Sequence, residues 1–557
     1  MKLSIALSSL SILISSIASV QSESLLRGKA INDDTCLSIT DEDQCNSSVD
    51  TDGSACVWCK CSAVPSECVN VEQSKKLPQG VFDCAIPNSN RETVISKTQA
   101  QSNGSDAKYD GSFLTYTLTD GEVDRNLCDP QSHSLAGYID ITGSKYDADG
   151  EDKHLFYWFF EKRAPNGFYE EKIEDIPLIL WLTGGPGCSS TLALLTENGP
   201  CSVTEDGSAT QVNPYSWTEA AHVLWLDQPA GVGYSYGQEN DYNQEMISED
   251  AYYFLQGFLK EHPAYSKNPL FVVGESYGGH YAPAIAHKVW TKNKSNDGSK
   301  LHINLAGVAV GNGLTDPIEQ YKWYPEMAYN NSHGLKVVTR ETYEGMKKAV
   351  EPCVKLIETC NEGESFLDKF ACQSAFVVCN VGLTSPYQVT GLNPYDIRKE
   401  CGSHPLCYDF SNIEKWLNKD STKAALYVKE SSKWATCNMG INLKFHSDWM
   451  HDFSPYIADL INAGIPALIY AGDVDFICNY LGNQAWTLSL DWKYKEEFNN
   501  AEVKEWGTRE DGTAAGLVRS AHGFTFMQVY DAGHMVPTDQ PDVALNMIKT
   551  FVNGQTF

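Results

Sequence analysis

Short apolar runs recur along most of this chain, and each ends in a loop rich in glycine or polar residues. Residues 135–141 and 154–160 read as the first two strands of a sheet. Residues 176–182 are a short continuous apolar run, which marks a strand buried on both faces of a mainly parallel sheet. Residues 222–227, 270–274, 305–311 and 465–472 follow the same logic, residues 525–530 give the last strand, and 543–552 form a helix-like tail. This rhythm predicts an α/β fold with a doubly wound, mostly parallel sheet, whose polar loops gather at the carboxyl ends of the strands where such folds place ligands.

The rhythm breaks twice. Between residues 315 and 455 the strands disappear and six cysteines stand at 353, 360, 372, 379, 401 and 407, which predicts a disulfide-bonded cap insertion over the ligand face. The sheet domain is thereby split into residues 125–314 and 456–557. At the other end, residues 23–90 hold seven cysteines between Cys36 and Cys84, including Cys56, Cys59 and Cys61. No histidine precedes His133, so disulfides rather than zinc are expected there, with one of the seven thiols free or paired elsewhere. That small segment reads as a propeptide, a targeting device or a binding module, and residues 91–124 as a polar linker.

Residues 1–22, with an early Lys2, an apolar middle and Ser22 near the end, read as a secretory signal peptide. No other stretch approaches the roughly 18 apolar residues of a membrane span, so no stable membrane insertion is expected. Sequons at Asn46, Asn103, Asn293 and Asn330 and a total of 18 cysteines agree with an oxidising route to an extracellular, vacuolar or lysosomal destination. The net charge of −30 argues against nucleic acid or anionic membrane as partner and is compatible with work in acid. Oligomeric state is not legible in the sequence.

The chemistry centres on residues 271–279, where an apolar run ends in G-x-S-x-G and a helix start follows. That is a nucleophile elbow, with Ser276 held exposed on a tight strand-to-helix turn. A serine hydroxyl needs a base, and the base needs a carboxylate to fix its tautomer. The loop after the 525–530 strand supplies His534, and the loop after the 465–472 strand supplies Asp473 and Asp475, between which the residues alone do not choose. One oxyanion donor should be the backbone N–H of Tyr277, and the other should come from the loop after residues 176–182.

Five stretches carry a resemblance: Gly-Glu-Ser-Tyr-Gly-Gly at 274–279, Trp-Leu-Thr-Gly-Gly-Pro-Gly-Cys-Ser-Ser at 181–190, Leu-Asp-Gln-Pro-Ala-Gly-Val-Gly-Tyr-Ser at 226–235, Ala-Gly-Asp-Val-Asp-Phe-Ile-Cys-Asn at 471–479 and Ala-Gly-His-Met-Val-Pro at 532–537. Over roughly residues 125 to 555 the chain resembles the serine carboxypeptidases of the carboxypeptidase Y type, which have the α/β-hydrolase fold. The resemblance implies that Asp475 is the acid, that the N–H of Gly185 is the second oxyanion donor, and that no metal or cofactor takes part. It implies that peptide or protein C-termini are the substrate, held by Thr183, Gly184 and the paired carboxyls of Glu197 and Glu275. Two carboxyls that close cannot both ionise easily, so one stays protonated and donates to the substrate carboxylate, giving an acidic optimum.

The resemblance further implies that Cys478, Ile477 and Met535 line the S1 and S1′ pockets, with Cys478 a free thiol, and that Cys188 pairs with Cys437 and Cys401 with Cys407. Cys128 and Cys201, both outside the cap and beside the sheet, are expected to pair. Thr183 stands where the peptidases usually have Asn, and Thr also occurs there in plant acyltransferases of similar sequence. Acyl transfer through the same acyl-enzyme is therefore the second reading, and a binding or protective protein the third. Those acyltransferases often carry Asp at the position of Glu275, so the retained Glu275 and Glu197 put hydrolysis first.

Overall fold

The structure is a computed structural model that describes residues 115–557, apart from 143–145, 147–151, 165, 168, 170, 296–297, 364–365, 508 and 510–511, together with scattered positions between Cys36 and Cys84. The expected signal peptide, residues 91–114 of the expected linker, and the sequons at Asn46 and Asn103 lie outside the described residues. Two compact units emerge, one within Met1–Gly104 together with Glu364–Leu367, the other formed by Ser105–Gly363 and Asp368–Phe557.

The first unit is a three-stranded antiparallel sheet in which Cys56–Cys61 lies between Glu67–Asn70 and Phe82–Cys84. Disulfides join Cys36 to Cys56, Cys45 to Cys68 and Cys59 to Cys84. Its buried cluster is Ile39 with Cys36, Cys45, Cys56 and Cys68, so half-cystines stand in for the apolar core that so short a segment cannot build. The side chain of Cys61 lies outside the described residues.

The second unit is built on a 12-stranded sheet. Its parallel middle runs, in spatial order, Phe524–Val529, Ala467–Gly472, Leu305–Gly311, Leu270–Glu275, Leu178–Leu182 and His222–Leu226. These strands are apolar on both faces because both are covered. Ile179, Trp181, Val223, Trp225, Phe271 and Val273 join a core with Leu192, Leu194, Val543 and Ile548, while on the other side Gln244–Glu261 packs against Gly278–Lys294.

The chain steps from Leu178–Leu182 outward to His222–Leu226, then returns through Gln244–Glu261 to lay Leu270–Glu275 on the opposite side of the first strand. That reversal leaves a crevice beyond the carboxyl ends of Leu178–Leu182 and Leu270–Glu275, where doubly wound sheets bind ligands.

Antiparallel strands flank the middle, and here the sequence expectation is corrected. Thr115–Glu122 pairs along its whole length with Ser134–Thr142, so the residues expected to end a linker at 124 are the first strand of the sheet. The alternation of Tyr116 and Leu118 with Thr115, Thr117 and Thr119 is a strand pattern inside a polar stretch. Gly516–Ala521 and Lys504–Trp506 extend the other edge and also escaped the reading.

Between Thr315 and Pro455 the chain is mainly helical. Arg340–Cys360 and Phe366–Cys379 are clamped together by Cys353–Cys379 and Cys360–Cys372, and Cys401–Cys407 closes the loop after the strand Asp396–Glu400. The two ends of the insertion meet where the Phe453 N–H donates to the Thr315 carbonyl at 2.9 Å. Cys128 is bonded to Cys201, and Cys188 to Cys437.

Candidate active site

Five neighbouring strands of the parallel middle each end in a loop that delivers part of one site. Leu270–Glu275 turns at Ser276, whose φ of 63° is the left-handed conformation a non-glycine residue avoids, and Gly278–Lys294 starts immediately afterwards. The elbow is held because the Ser276 N–H donates to the Gly311 carbonyl at 3.1 Å and its carbonyl accepts from Leu314 N–H at 2.9 Å. Beside it, Gly184 can carry no side chain, since a Cβ there would lie 2.3 Å from the Tyr277 nitrogen. That approach brings the loop of Gly184 and Gly185 against the Tyr277 N–H.

Asp475 and His534 come from the next loops. His534 Nδ1 lies 2.8 Å from Asp475 Oδ2, with Asp475 fully buried and His534 5% exposed. The same Oδ2 accepts from the Asn312 side-chain amide at 2.8 Å and the Cys478 N–H at 3.2 Å, while Oδ1 accepts from the Ile477 N–H at 3.0 Å. The His534 backbone is pinned by its N–H to the Tyr395 carbonyl at 2.8 Å.

Asp473 points elsewhere. It accepts from the Asp531 N–H at 2.8 Å and lies 3.0 Å from His333 Nε2, which ties the two loops together. Of the two aspartates, Asp475 is the one at the imidazole.

Asn312 was not anticipated. It stands between Gly311 and Gly313 at the carboxyl end of a strand, with φ at 40°, and its side-chain carbonyl also accepts from the Gly472 N–H at 3.1 Å. A polar residue in that position, matching the loop positions of the other site residues, is the signal that could have found it.

A cavity of ≈ 470 Å³ joins these groups, and Ser276, His534, Thr183, Gly184, Gly185, Tyr277, Glu197, Glu275, Ile477, Cys478 and Met535 all line it. The insertion supplies much of the remaining wall through Tyr321, Tyr324, Phe376, Tyr395, Tyr408 and Trp449. Every cavity residue expected from the sequence is thus brought to one place.

Glu197 and Glu275 are 5% and 3% exposed and bonded to each other. Burial is the first cause that raises both, and Glu197 is pushed up to about 7. Glu275 is raised further because Glu197 stands beside it as a second negative group. One Oε2 on each carboxyl has no protein partner. Both carboxyls line the same cavity as Ser276 and His534, and burial beside one another favours their protonated forms.

Thr183 accepts a hydrogen bond from Trp181 Nε1 at 3.0 Å, which leaves its one hydroxyl proton free. Cys478 is a free, buried thiol, and burial pushes it well above its usual range. Its sulfur, a carboxylate oxygen of Asp475 and a ring nitrogen of His534 lie within 4.8 Å of one another. Of the sequons, Asn330 is exposed, whereas the Asn293 side chain donates to and accepts from the Ile303 backbone.

A mixed sheet with a parallel middle, a serine at its nucleophile elbow and a histidine–aspartate pair on the loops of nearby strands define the class as α/β-hydrolase. Within that class the chain belongs to the serine carboxypeptidase family, which matches residues 121–554. Carboxypeptidase Y homolog A of Phaeosphaeria nodorum is 40% identical over 450 residues, 80% of this chain and 78% of that protein. Carboxypeptidase Y of Saccharomyces cerevisiae is 40% identical over 432 residues, 76% of each chain. Among solved structures, a prohormone-processing carboxypeptidase from Saccharomyces cerevisiae superposes with a TM-score of 0.68 at 26% identity, covering 78% of this chain and 95% of that one. The chain is a serine carboxypeptidase, a hydrolase of peptides, and acyl transfer is not the favoured reading.

Proposed function

We propose that this enzyme removes C-terminal amino acids at acidic pH, with Ser276 as nucleophile, His534 as base and then acid, and Asp475 as the group that orients it. Ser276 Oγ attacks the last peptide carbonyl and passes its proton to His534 Nε2. The negative charge that develops on the carbonyl oxygen is met by the N–H groups of Tyr277 and Gly185. His534 returns the proton to the leaving amine, the free amino acid departs, and water enters by the same route in reverse to release the shortened peptide from Ser276.

The observation that carries the exopeptidase reading is the buried Glu197–Glu275 pair in the wall of the cavity that also holds Ser276 and His534. A protonated carboxyl there donates to the substrate's terminal carboxylate, with the Thr183 hydroxyl and the Gly184 N–H as further donors. The 16 cysteines joined in disulfides support passage through the secretory pathway to an extracellular, vacuolar or lysosomal compartment. Among the described residues no helix is long and apolar enough to cross a membrane. The cysteine-stapled segment of residues 23–90 would then be a propeptide or a binding module, and residues 315–455 the cap that shapes the peptide site.

The test is to incubate an N-blocked dipeptide and its C-terminal amide at about pH 5, with and without a serine-directed organophosphate. A free C-terminal amino acid should appear from the acid, far more slowly from the amide, and not after the organophosphate. Equal turnover of acid and amide would remove the carboxylate site from the proposal.

A further inference from the structure

The residue after the nucleophile has an anchor outside its own loop. The Tyr277 side chain is 1% exposed, and its hydroxyl donates to Asp448 Oδ2 at 2.7 Å. Asp448 lies in the last part of the cap insertion, just past the turn Phe445–Ser447, and is itself 3% exposed. It is fixed from the sheet domain, because Gln244, the first residue of helix Gln244–Glu261, donates to it through the side-chain amide at 2.9 Å and the backbone N–H at 3.4 Å. A carboxylate at a helix N-terminus is favourably placed.

The Tyr277 ring is gripped as well. His280 stacks on it at 4.4 Å, while Trp449 and Phe445 of the cap lie at 5.3 and 6.0 Å between centroids. Ser276, one bond away, sits at a φ of 63° that a free chain would leave.

From this arrangement we propose that Asp448 is a positioning residue for the oxyanion hole. It acts through the Tyr277 ring to hold the Tyr277 N–H in the orientation the developing alkoxide requires. The proposal rests on the assignment of that N–H as an oxyanion donor. It adds a function for the cap beyond shaping the cleft: Trp449, which lines the peptide cavity, follows Asp448 directly, so filling that wall and setting the oxyanion donor are parts of one packed unit.

The test uses the full-length enzyme with Tyr277→Phe, Asp448→Ala and Asp448→Asn. A misaligned oxyanion donor lowers kcat and leaves KM near its original value, because the contact matters only in the transition state. Loss of one donor outright costs about a hundredfold or more in kcat, so loss of its support in Asp448→Ala should cost about tenfold to a hundredfold, Tyr277→Phe somewhat less, and Asp448→Asn, which keeps an acceptor for the tyrosine, about threefold or less.

A peptidyl boronate that mimics the tetrahedral state should weaken by the same factors as kcat/KM, while a product peptide acting as competitive inhibitor should bind unchanged. Wild-type kcat and boronate affinity in both Tyr277→Phe and Asp448→Ala, or a change confined to KM, would overturn the proposal. Ser276→Ala separates the cases. If it keeps turnover, the active-site assignment itself fails, whereas an inactive Ser276→Ala beside unimpaired Asp448 and Tyr277 variants sinks only the positioning role.

Discussion

Asp475, bonded to His534, and the Glu197–Glu275 pair, in the cavity wall, are carboxyls of one site, all at most 5% exposed, yet they stand in opposite surroundings. Asp475 is surrounded by donors: the Asn312 amide, the N–H groups of Ile477 and Cys478, and His534. The two glutamates have each other, and each keeps an oxygen that no protein group satisfies. Burial is common to both settings, so the donors make the difference. A carboxylate supplied with donors serves as a fixed acceptor behind a base, and one deprived of them keeps its proton and can donate it.

The largest break in this comparison comes from removing the acceptor. Asp475→Asn keeps the shape but offers an amide to His534, and kcat should fall by about 10⁴-fold through the wrong imidazole tautomer. Steady-state rates on an ester and a peptide should drop together, and a loss under about tenfold would mean that the donors around Asp475 serve the loop rather than the base.

Next comes the glutamate pair. Peptidase kcat/KM should decline as pH rises through about 7, where the glutamate pair gives up its shared proton, while ester and amide substrates decline less. Glu275→Gln should flatten that limb and raise KM for free-acid peptides about tenfold to a hundredfold, the value of a hydrogen bond to a charged group. Stability should carry the same sign. Folded carboxyls raised above their unfolded range hold a proton that the unfolded chain has released, so the melting temperature should fall between the ordinary carboxyl range and about pH 7, and fall less in Glu275→Gln.

Thr183→Asn, which adds a donor at the carboxylate site, should lower KM for free-acid peptides by about threefold and leave ester KM unchanged. A loss of peptide binding instead would show that the Trp181–Thr183 contact sets the geometry there. Cys478→Ser should alter turnover least, since burial disfavours the thiolate, and mercurials, expected to inhibit the wild type through this free thiol, should leave the variant active. In the wild type a bound mercury would intrude on Asp475 and His534, and mercurial inhibition persisting in the serine variant would place the reactive thiol elsewhere.

Most of the parallel strands were legible because they are short unbroken apolar runs, and the groups of the site sit where those runs stop. Ser276, Asp475 and His534 follow this rule, and Asn312 obeys it too, although nothing in an isolated Gly-Asn-Gly says that its amide will reach across to another strand's loop. The anchors were illegible for a related reason. Asp448 lies 171 residues from the tyrosine it holds, inside an insertion with no repeating pattern. Thr115–Glu122 was hidden by its threonines, since an edge strand half exposed to solvent has the composition of a linker and only its alternation gives it away. The Glu197–Glu275 bond joins a residue at the end of one helix to one at the end of a strand, and no spacing announces such a meeting.

The Cys188–Cys437 bond ties residues 249 apart in sequence. Closing so long a loop restricts the unfolded chain by about 5 kcal/mol in the chain-entropy view. Its mechanical effect is more specific, because Cys188 follows Gly185 by three residues and Cys437 lies in the last part of the helical insertion. The helical insertion is thus tethered to the loop of Gly184 and Gly185, so any displacement of the insertion at Cys437 would pull on the backbone packed against Ser276 and Tyr277.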